Sequence, residues 1–391
     1  MIKKIGVLSS GLIIGAVINI ACVPVLTRIY GIEAYGVYGA TMAIVSVAAV
    51  IANGRLDQAI LAADEKKRFA LASAGLYITI VVALMAGFFS ALILDKYTGL
   101  VVGLGVASSS LYQLTYSCFM TTGKLRVCSS LSVLRVAVLC GFQVFLGLYG
   151  FSNSLLDGMA LQSLMIIFLG LFVTARRIHA VNKKSFTENL DFLKNNSGHA
   201  LINAFSHNVP YLLLGSFFGP TMTGYYAVID RLCKAPISIF SQAIRQLYVK
   251  RVANASASKA AAKNAVKASS LMLALAIAVY ALAAVTPEQF YRMFLGEQWS
   301  DIKHYVLVLA LGYVFVFSNP PASAYIVAAR KSYVLLRFQV FELALKVLLF
   351  FALLQLGEMV VLASFSLSLI FYNVMIFIFV YREAGGHGLI R

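Results

Sequence analysis

The residues best equipped for chemistry in this sequence are ionisable groups set inside long apolar runs. Arg55 and Asp57 belong to GRLDQAI (Gly54 to Ile60). Arg135 stands in the run 127–149, Asp230, Arg231 and Lys234 share 224–244, Glu342 and Lys346 occupy 338–356, and His207 lies in 199–218. Such groups are costly in hydrocarbon and face a protein interior or a wet cavity. Arg55 and Asp57 are i,i+2, a spacing that does not share a helix face, so they cannot simply neutralise each other. Each needs water, another helix or a ligand. The alternative is a pair snorkelling to the inner surface, toward Lys66 about 16 Å further along the helix. Arg231 and Lys234 are i,i+3 and share a face, where two cations repel unless an anion lies opposite. A substrate phosphate would satisfy both; so would Asp157 or Asp230. Glu342 and Lys346 are i,i+4 in the favourable order, which reads first as a self-neutralised structural pair and second as a proton-coupling carboxylate. For Arg135 and His207, packing with a hydrogen bond competes with a functional role. By charge and depth, Arg55, Arg231, Lys234 and Arg135 are the candidates for anion contact. Asp57, Asp230, Glu342, Lys346 and His207 are the candidates for coupling or gating. Five cations against three acids make the intramembrane charge net positive, which favours an anionic cargo and rejects organic cations.

These residues are positioned by elements the composition dictates. Of 391 residues, 61% are apolar and 12% charged, whereas a soluble domain keeps about a quarter charged. The chain therefore reads as an all-α polytopic membrane protein, because its runs are long and lack the alternation of outer-membrane strands. Twelve runs are expected, at 5–26, 36–62, 70–94, 99–122, 127–149, 155–175, 199–218, 224–244, 268–286, 303–325, 338–356 and 360–380. With the N-terminus placed in the cytoplasm, the inside segments hold 23 of the 32 Lys and Arg. The outside segments hold 4 (Arg28, Lys96, Arg292 and Lys303), and five lie within spans. The positive-inside rule then puts both termini in the cytoplasm. This asymmetry accounts for most of the net charge of +17, and its partner is the anionic inner leaflet, not nucleic acid.

One loop is written twice. YGIEAYGVYG (Tyr30 to Gly39) and FGPTMTGYYA (Phe218 to Ala227) both read aromatic-Gly, four residues, Gly-any-Tyr, and 219 − 31, 224 − 36 and 226 − 38 each give 188. Six spans separate the two copies, so each half enters the membrane the same way, as in a parallel repeat about an axis along the membrane normal. The expected organisation is an N-terminal six-helix lobe at 1–175, a cytoplasmic linker at 176–198 and a C-terminal six-helix lobe at 199–391. In the long inside segment 245–267, Lys259, Lys263 and Lys267 fall on one helical face, and an Ala-rich helix lying on the inner leaflet is expected there.

Several function classes find no support. No G-x-x-x-x-G-K-[ST], HExxH or GxSxG occurs, and no acidic cluster suggests a metal. The longest outside loop, near 287–302, is too small for a catalytic domain, so no enzyme and no cofactor is expected. Voltage-sensor Arg ladders and filter-like repeats are missing too. Five cysteines (Cys22, Cys118, Cys128, Cys140 and Cys233) sit in or beside apolar runs as small packing residues. MIKK followed by Ile5 to Leu26 is too long and lacks the cleavage site of a signal peptide, so it reads as the first span.

The ordered set of motifs resembles a known family. PVLTRIYGIEAYGVYG (Pro24 to Gly39) followed by GRLDQAI, then FGPTMTGYYAVIDRLCKAPISIFSQAI (Phe218 to Ile244), then FLGEQWSDI (Phe294 to Ile302) and SNPPASA (Ser318 to Ala324), are similar to bacterial polysaccharide-repeat-unit flippases. These are the O-antigen, lipopolysaccharide and capsule transporters of the multidrug/oligosaccharidyl-lipid/polysaccharide (MOP) superfamily. The resemblance implies two six-helix lobes in a MATE-like V around a central cavity. It implies an undecaprenyl-pyrophosphate-linked oligosaccharide cargo moved across the bacterial inner membrane, with coupling to an H+ or Na+ gradient. The polysaccharide polymerase machinery is a further expected partner. A multidrug antiporter, a lipid II flippase and a membrane glycosyl-transfer enzyme are the rival readings. The first usually wants cavity carboxylates, and span 1 has none.

Overall fold

The computed structural model describes residues 2–151, 154–175, 190–252 and 259–385, and among these every regular element is helical. The helices are α1 (Ile2–Ile29), α2 (Ile32–Asn53), α3 (Leu56–Ala62), α4 (Glu65–Ile93), α5 (Lys96–Thr121), α6 (Leu125–Leu148), α7 (Ser154–Ala175) and α8 (Leu190–Phe217). They continue with α9 (Gly219–Val252), α10 (Lys259–Val285), α11 (Glu288–Leu295), α12 (Ile302–Ser318), α13 (Pro320–Ala328), α14 (Ser332–Leu353) and α15 (Glu358–Gly385). Seven of these helices are long and apolar enough to cross a membrane, and the bent pair α12–α13 makes an eighth. The chain is a multi-pass membrane protein. Each of the twelve runs overlies a helix or a broken pair of helices. Those that miss a simple hydropathy threshold carry the polar groups: α5 holds Ser108, Ser109, Ser110 and Gln113, and α14 holds Arg337, Glu342 and Lys346.

Two runs expected as single spans are broken. After α2, Gly54 and Arg55 both take left-handed backbone, at φ 51° and 60°. The chain restarts as α3, anchored by the buried Leu56 and Ile60 against Leu71 and Leu114. At Asn319 the axis turns by 40°, because Pro320 and Pro321 supply no amide hydrogen to the preceding turn and instead start α13. Asn319 Nδ2 donates to Asn373 Oδ1 of α15 at 2.6 Å, which ties the bend down.

The chain divides into two compact units, Met1–Gly224 and Tyr225–Arg391. The division by packing falls after Gly224 because α8 lies along α2. The linker expected at 176–198 lies largely outside the described residues. In the first unit α4 and α5 approach closely where Gly99 faces Gly87 and Ala91, and a Cβ at Gly99 would sit 2.6 Å from the Gly87 carbonyl oxygen. Small residues at such a contact let helix backbones meet in a membrane. Asp95 caps α5 by accepting from the Thr98 amide at 2.9 Å. The Thr98 hydroxyl and amide hold its carboxyl below the ordinary range. Stability from this cap is therefore full above the unfolded carboxylate value and fades as pH falls through the lower folded one. Asp95→Ala should cost about 1 kcal/mol, read as a lower unfolding temperature at pH 7 but not at the acid limit.

The repeated loops meet each other inside this first unit. A side chain at Gly36 would strike the Pro220 carbonyl, and one at Gly224 would strike the Ile32 carbonyl. Pro220 stands 188 residues after Ile32, the same offset that relates Gly224 to Gly36. The contact is thus reciprocal, as contacts across a two-fold axis are. The Thr221 hydroxyl donates to Glu33 Oε1 at 3.5 Å, and these residues too are 188 apart. Gly36→Val should push the helices apart and destabilise by about 1–3 kcal/mol. Thermal unfolding in detergent would show it, and an unchanged midpoint would contradict the close approach.

The second unit packs α10, α13, α14 and α15 around Ala262, Ala265, Tyr325, Ile326, Ile376 and Val380. Trp299 is fully buried, edge-on to Tyr225 at 5.9 Å. Lys259, Lys263 and Lys267 do share an exposed face. They do not, however, form a separate surface helix. They begin α10 itself, whose Ala262, Ala265 and Ser269 face inward, so the lysine face continues directly into a span.

Candidate functional site

The candidate residues separate by charge balance. In the second unit two acids are each paired with a lysine. Asp230 on α9 is 4% exposed, receives Lys234 Nζ at 2.8 Å and accepts a short hydrogen bond from the Tyr313 hydroxyl of α12. On α14, Lys346 Nζ meets Glu342 Oε1 at 2.5 Å, with both side chains buried, and the Ser368 hydroxyl of α15 reaches the same oxygen at 3.5 Å. The two pairs sense one another: the charges of Lys234 and Asp230 act on Lys346. The Tyr226 hydroxyl lies in the field of both Asp230 and Glu342. The result is a near-neutral network of two acids, two lysines and two tyrosines, buried except at Lys234. Lys234 is held by Asp230, so its expected anion contact requires that pair to open. Arg231, next to Asp230 on α9, is half-buried. His207 is on an exposed position of α8.

In the first unit Arg135 has no carboxylate among its described neighbours. Arg135 extends from α6 to α5, where its guanidinium donates to Ser109 Oγ at 3.2 Å and covers the Tyr112 ring at 4.7 Å. Tyr38 is also near, and no carboxylate stands among these neighbours. Arg135 lines an open cavity of about 160 Å³ between α5, α6 and α7. Asp157 of α7 accepts from the Tyr97 hydroxyl.

Arg55 departs from the sequence expectation in geometry. It is not helical but left-handed, at the break before α3, so the helix-face rule separating it from Asp57 does not apply, and its charge acts on Asp57. Even so, Arg55 Nε and Asp57 Oδ1 are buried without a hydrogen-bond partner, as is Asn53 Oδ1. Asn53 Nδ2 donates to Gln113 Oε1 at 2.5 Å, linking the break to α5. Unsatisfied buried polar groups are uncommon in native proteins, and three such atoms stand together at this break.

Sequence reading missed the neutral members: Tyr226, Tyr313 and Ser368 in one unit, Asn53, Gln113, Ser109 and Tyr112 in the other. Only Asn53, a polar residue ending an apolar run beside Gly54 and Arg55, carried a local signal. Among the described residues, no group of three or more His, Cys, Asp or Glu comes together as metal ligands would.

The fold is that of MOP-superfamily transporters. The structure is similar to the lipid II flippase MurJ in an inward closed conformation, with TM-score 0.78 and 13% identity, covering 96% of this chain and 87% of that one. It is similar also to an inward-facing MATE-family multidrug resistance transporter, with TM-score 0.64 and 14% identity over 99% and 95% of the chains. A third similar structure is a MOP transporter from Pyrococcus furiosus described as having a binding pocket of reverse polarity, with TM-score 0.61 and 14% identity over 98% and 96%. No curated protein matches the sequence. Residues 25–304 match the family described as "Polysaccharide biosynthesis protein", and the chain belongs to that family.

Proposed function

We propose that this protein is a flippase for polyprenyl-pyrophosphate-linked oligosaccharide repeat units. It moves them from the inner to the outer leaflet of the bacterial cytoplasmic membrane by alternating access. The observation that carries the reading is the imbalance of intramembrane charge: among its described neighbours Arg135 has no carboxylate, whereas Lys234 and Lys346 are each paired with an acid. Family membership in polysaccharide biosynthesis supports a saccharide cargo. A pyrophosphate and its sugars cannot cross hydrocarbon unaided, because burying charged and hydrogen-bonding groups costs too much. Guanidinium groups supply the missing charge and bidentate donors. Arg55 and Arg135 are the principal anion contacts in this reading, joined by Arg231, and by Lys234 when its pair with Asp230 opens. The protein acts as a transporter rather than an enzyme.

The same reading has twelve spans in two six-helix lobes, with both termini cytoplasmic, an orientation that the 23-to-4 distribution of Lys and Arg supports. The network of Asp230, Lys234, Glu342 and Lys346 is the coupling element for an H+ or Na+ gradient: its carboxylates are the buried groups able to change charge between two arrangements. Asp57 and His207 contribute to gating. The test is reconstitution of the purified protein into proteoliposomes with fluorescent undecaprenyl-pyrophosphate oligosaccharide, with accessible sugar measured by an impermeant glycosidase. Protein-dependent exposure of sugar from the protected leaflet is expected. Ethidium transport with no sugar translocation would replace this reading with a cation antiporter.

A further inference from the structure

We propose that the apolar groove between α5, α6 and α7 holds the first isoprene units of the prenyl chain, with Arg135 on the pyrophosphate to which that chain is joined. This inference rests on the flippase reading above and assigns the lipid end of the cargo to a place. The groove runs from Phe119 and Val127, beside the α5–α6 turn, past Leu131 and Leu169 to Arg135 and Val138. Its walls are almost entirely hydrocarbon and aromatic, and Arg135 is the charged residue among those that line it. Thr115 is 5% exposed, and its Oγ1 has no hydrogen-bond partner. Val127 and Leu134 on the rim are exposed, so a chain can enter from the side. An apolar trough with a cation toward its deeper end is complementary to an amphiphile with a single chain and an anionic head.

Depth decides which amphiphile. Arg135 lies 10 residues after Leu125 (135 − 125) and 13 before Leu148 (148 − 135), the two ends of α6. At about 1.5 Å per residue, it is about 15 Å from one end and about 20 Å from the other. The hydrocarbon core is about 30 Å thick, so the guanidinium is near mid-membrane. A resident phospholipid keeps its phosphate at the interface. A phosphate that meets Arg135 is one in passage between leaflets, and the occupant is therefore the transported prenyl pyrophosphate.

The experiment is equilibrium binding of radiolabelled geranylgeranyl pyrophosphate to the full-length protein in phosphatidylcholine nanodiscs. Arg135→Gln should weaken binding about tenfold and leave competition by geranylgeraniol, which lacks the head, unchanged. Leu131→Trp, which fills the groove, should weaken both. A diazirine-tagged prenyl pyrophosphate should label peptides of α5, α6 and α7 in the unaltered protein, a readout that needs no variant to fold. Unchanged binding in both variants, or labelling elsewhere, overturns the proposal. Displacement by phosphatidylglycerol as effective as by unlabelled probe also overturns it, since the groove would then be a phospholipid site. Protein that labels in the groove but moves no oligosaccharide refutes the flippase reading and keeps the groove; protein that flips but labels elsewhere does the reverse.

Discussion

Arg135→Met is expected to stop transport without weakening the fold. A stabilising ion pair and a ligand-binding cation differ in the sign of what their removal does to stability. Removing one member of a buried pair leaves the other charge stranded and costs several kcal/mol. Arg135 has Ser109 and Tyr112 as neighbours and no carboxylate among those described, so removal strands no charge and loses one hydrogen bond to Ser109. Methionine keeps the volume and adapts to the cavity wall. Stability should stay level or rise by about 1 kcal/mol, while oligosaccharide translocation falls by about tenfold or more. Thermal unfolding and the proteoliposome assay on the same preparation separate the two effects. A protein that unfolds at lower temperature and still transports would make Arg135 a packing residue.

Glu342→Ala should do the opposite. Glu342 and Lys346 form a 2.5 Å pair in which neither side chain meets solvent. The lone lysine left behind should cost about 3–5 kcal/mol, enough to lower yield from the membrane sharply. Replacing both, as Glu342→Leu with Lys346→Met, should recover most of the loss, because an apolar pair of similar volume suits the site. The double variant then isolates function from folding. If the network couples transport to an ion gradient, the rescued protein should no longer respond to an imposed gradient. A rescued protein with full gradient-driven transport would make this pair a structural lock.

Much of this was legible before any coordinates. The apolar runs located the helices, and the repeated Gly loops announced a relation between chain positions 188 apart. Its physical content, Gly36 on Pro220 and Gly224 on Ile32, needed packing to see. The helix breaks were written as Asn53-Gly54 and Asn319-Pro320, turn signals that long apolar runs concealed. The Glu342–Lys346 pair could be read because i,i+4 spacing is local. The Asp230–Tyr313 bond joins residues 83 apart, and the surroundings of Arg135 depend on how α6 is rotated against α5, which no periodicity in these nearly uniform apolar helices reports. Charges stand out in such a sequence because they are rare; neutral hydroxyl and amide partners do not.

The most direct test of flipping is deletion of the gene in a strain with no second flippase, followed by extraction of lipid-linked intermediates and labelling of their sidedness. The account predicts undecaprenyl-linked repeat units trapped on the cytoplasmic face and loss of surface polysaccharide, with the mass of the trapped species giving the cargo. Normal surface polysaccharide with no trapped intermediate would contradict it.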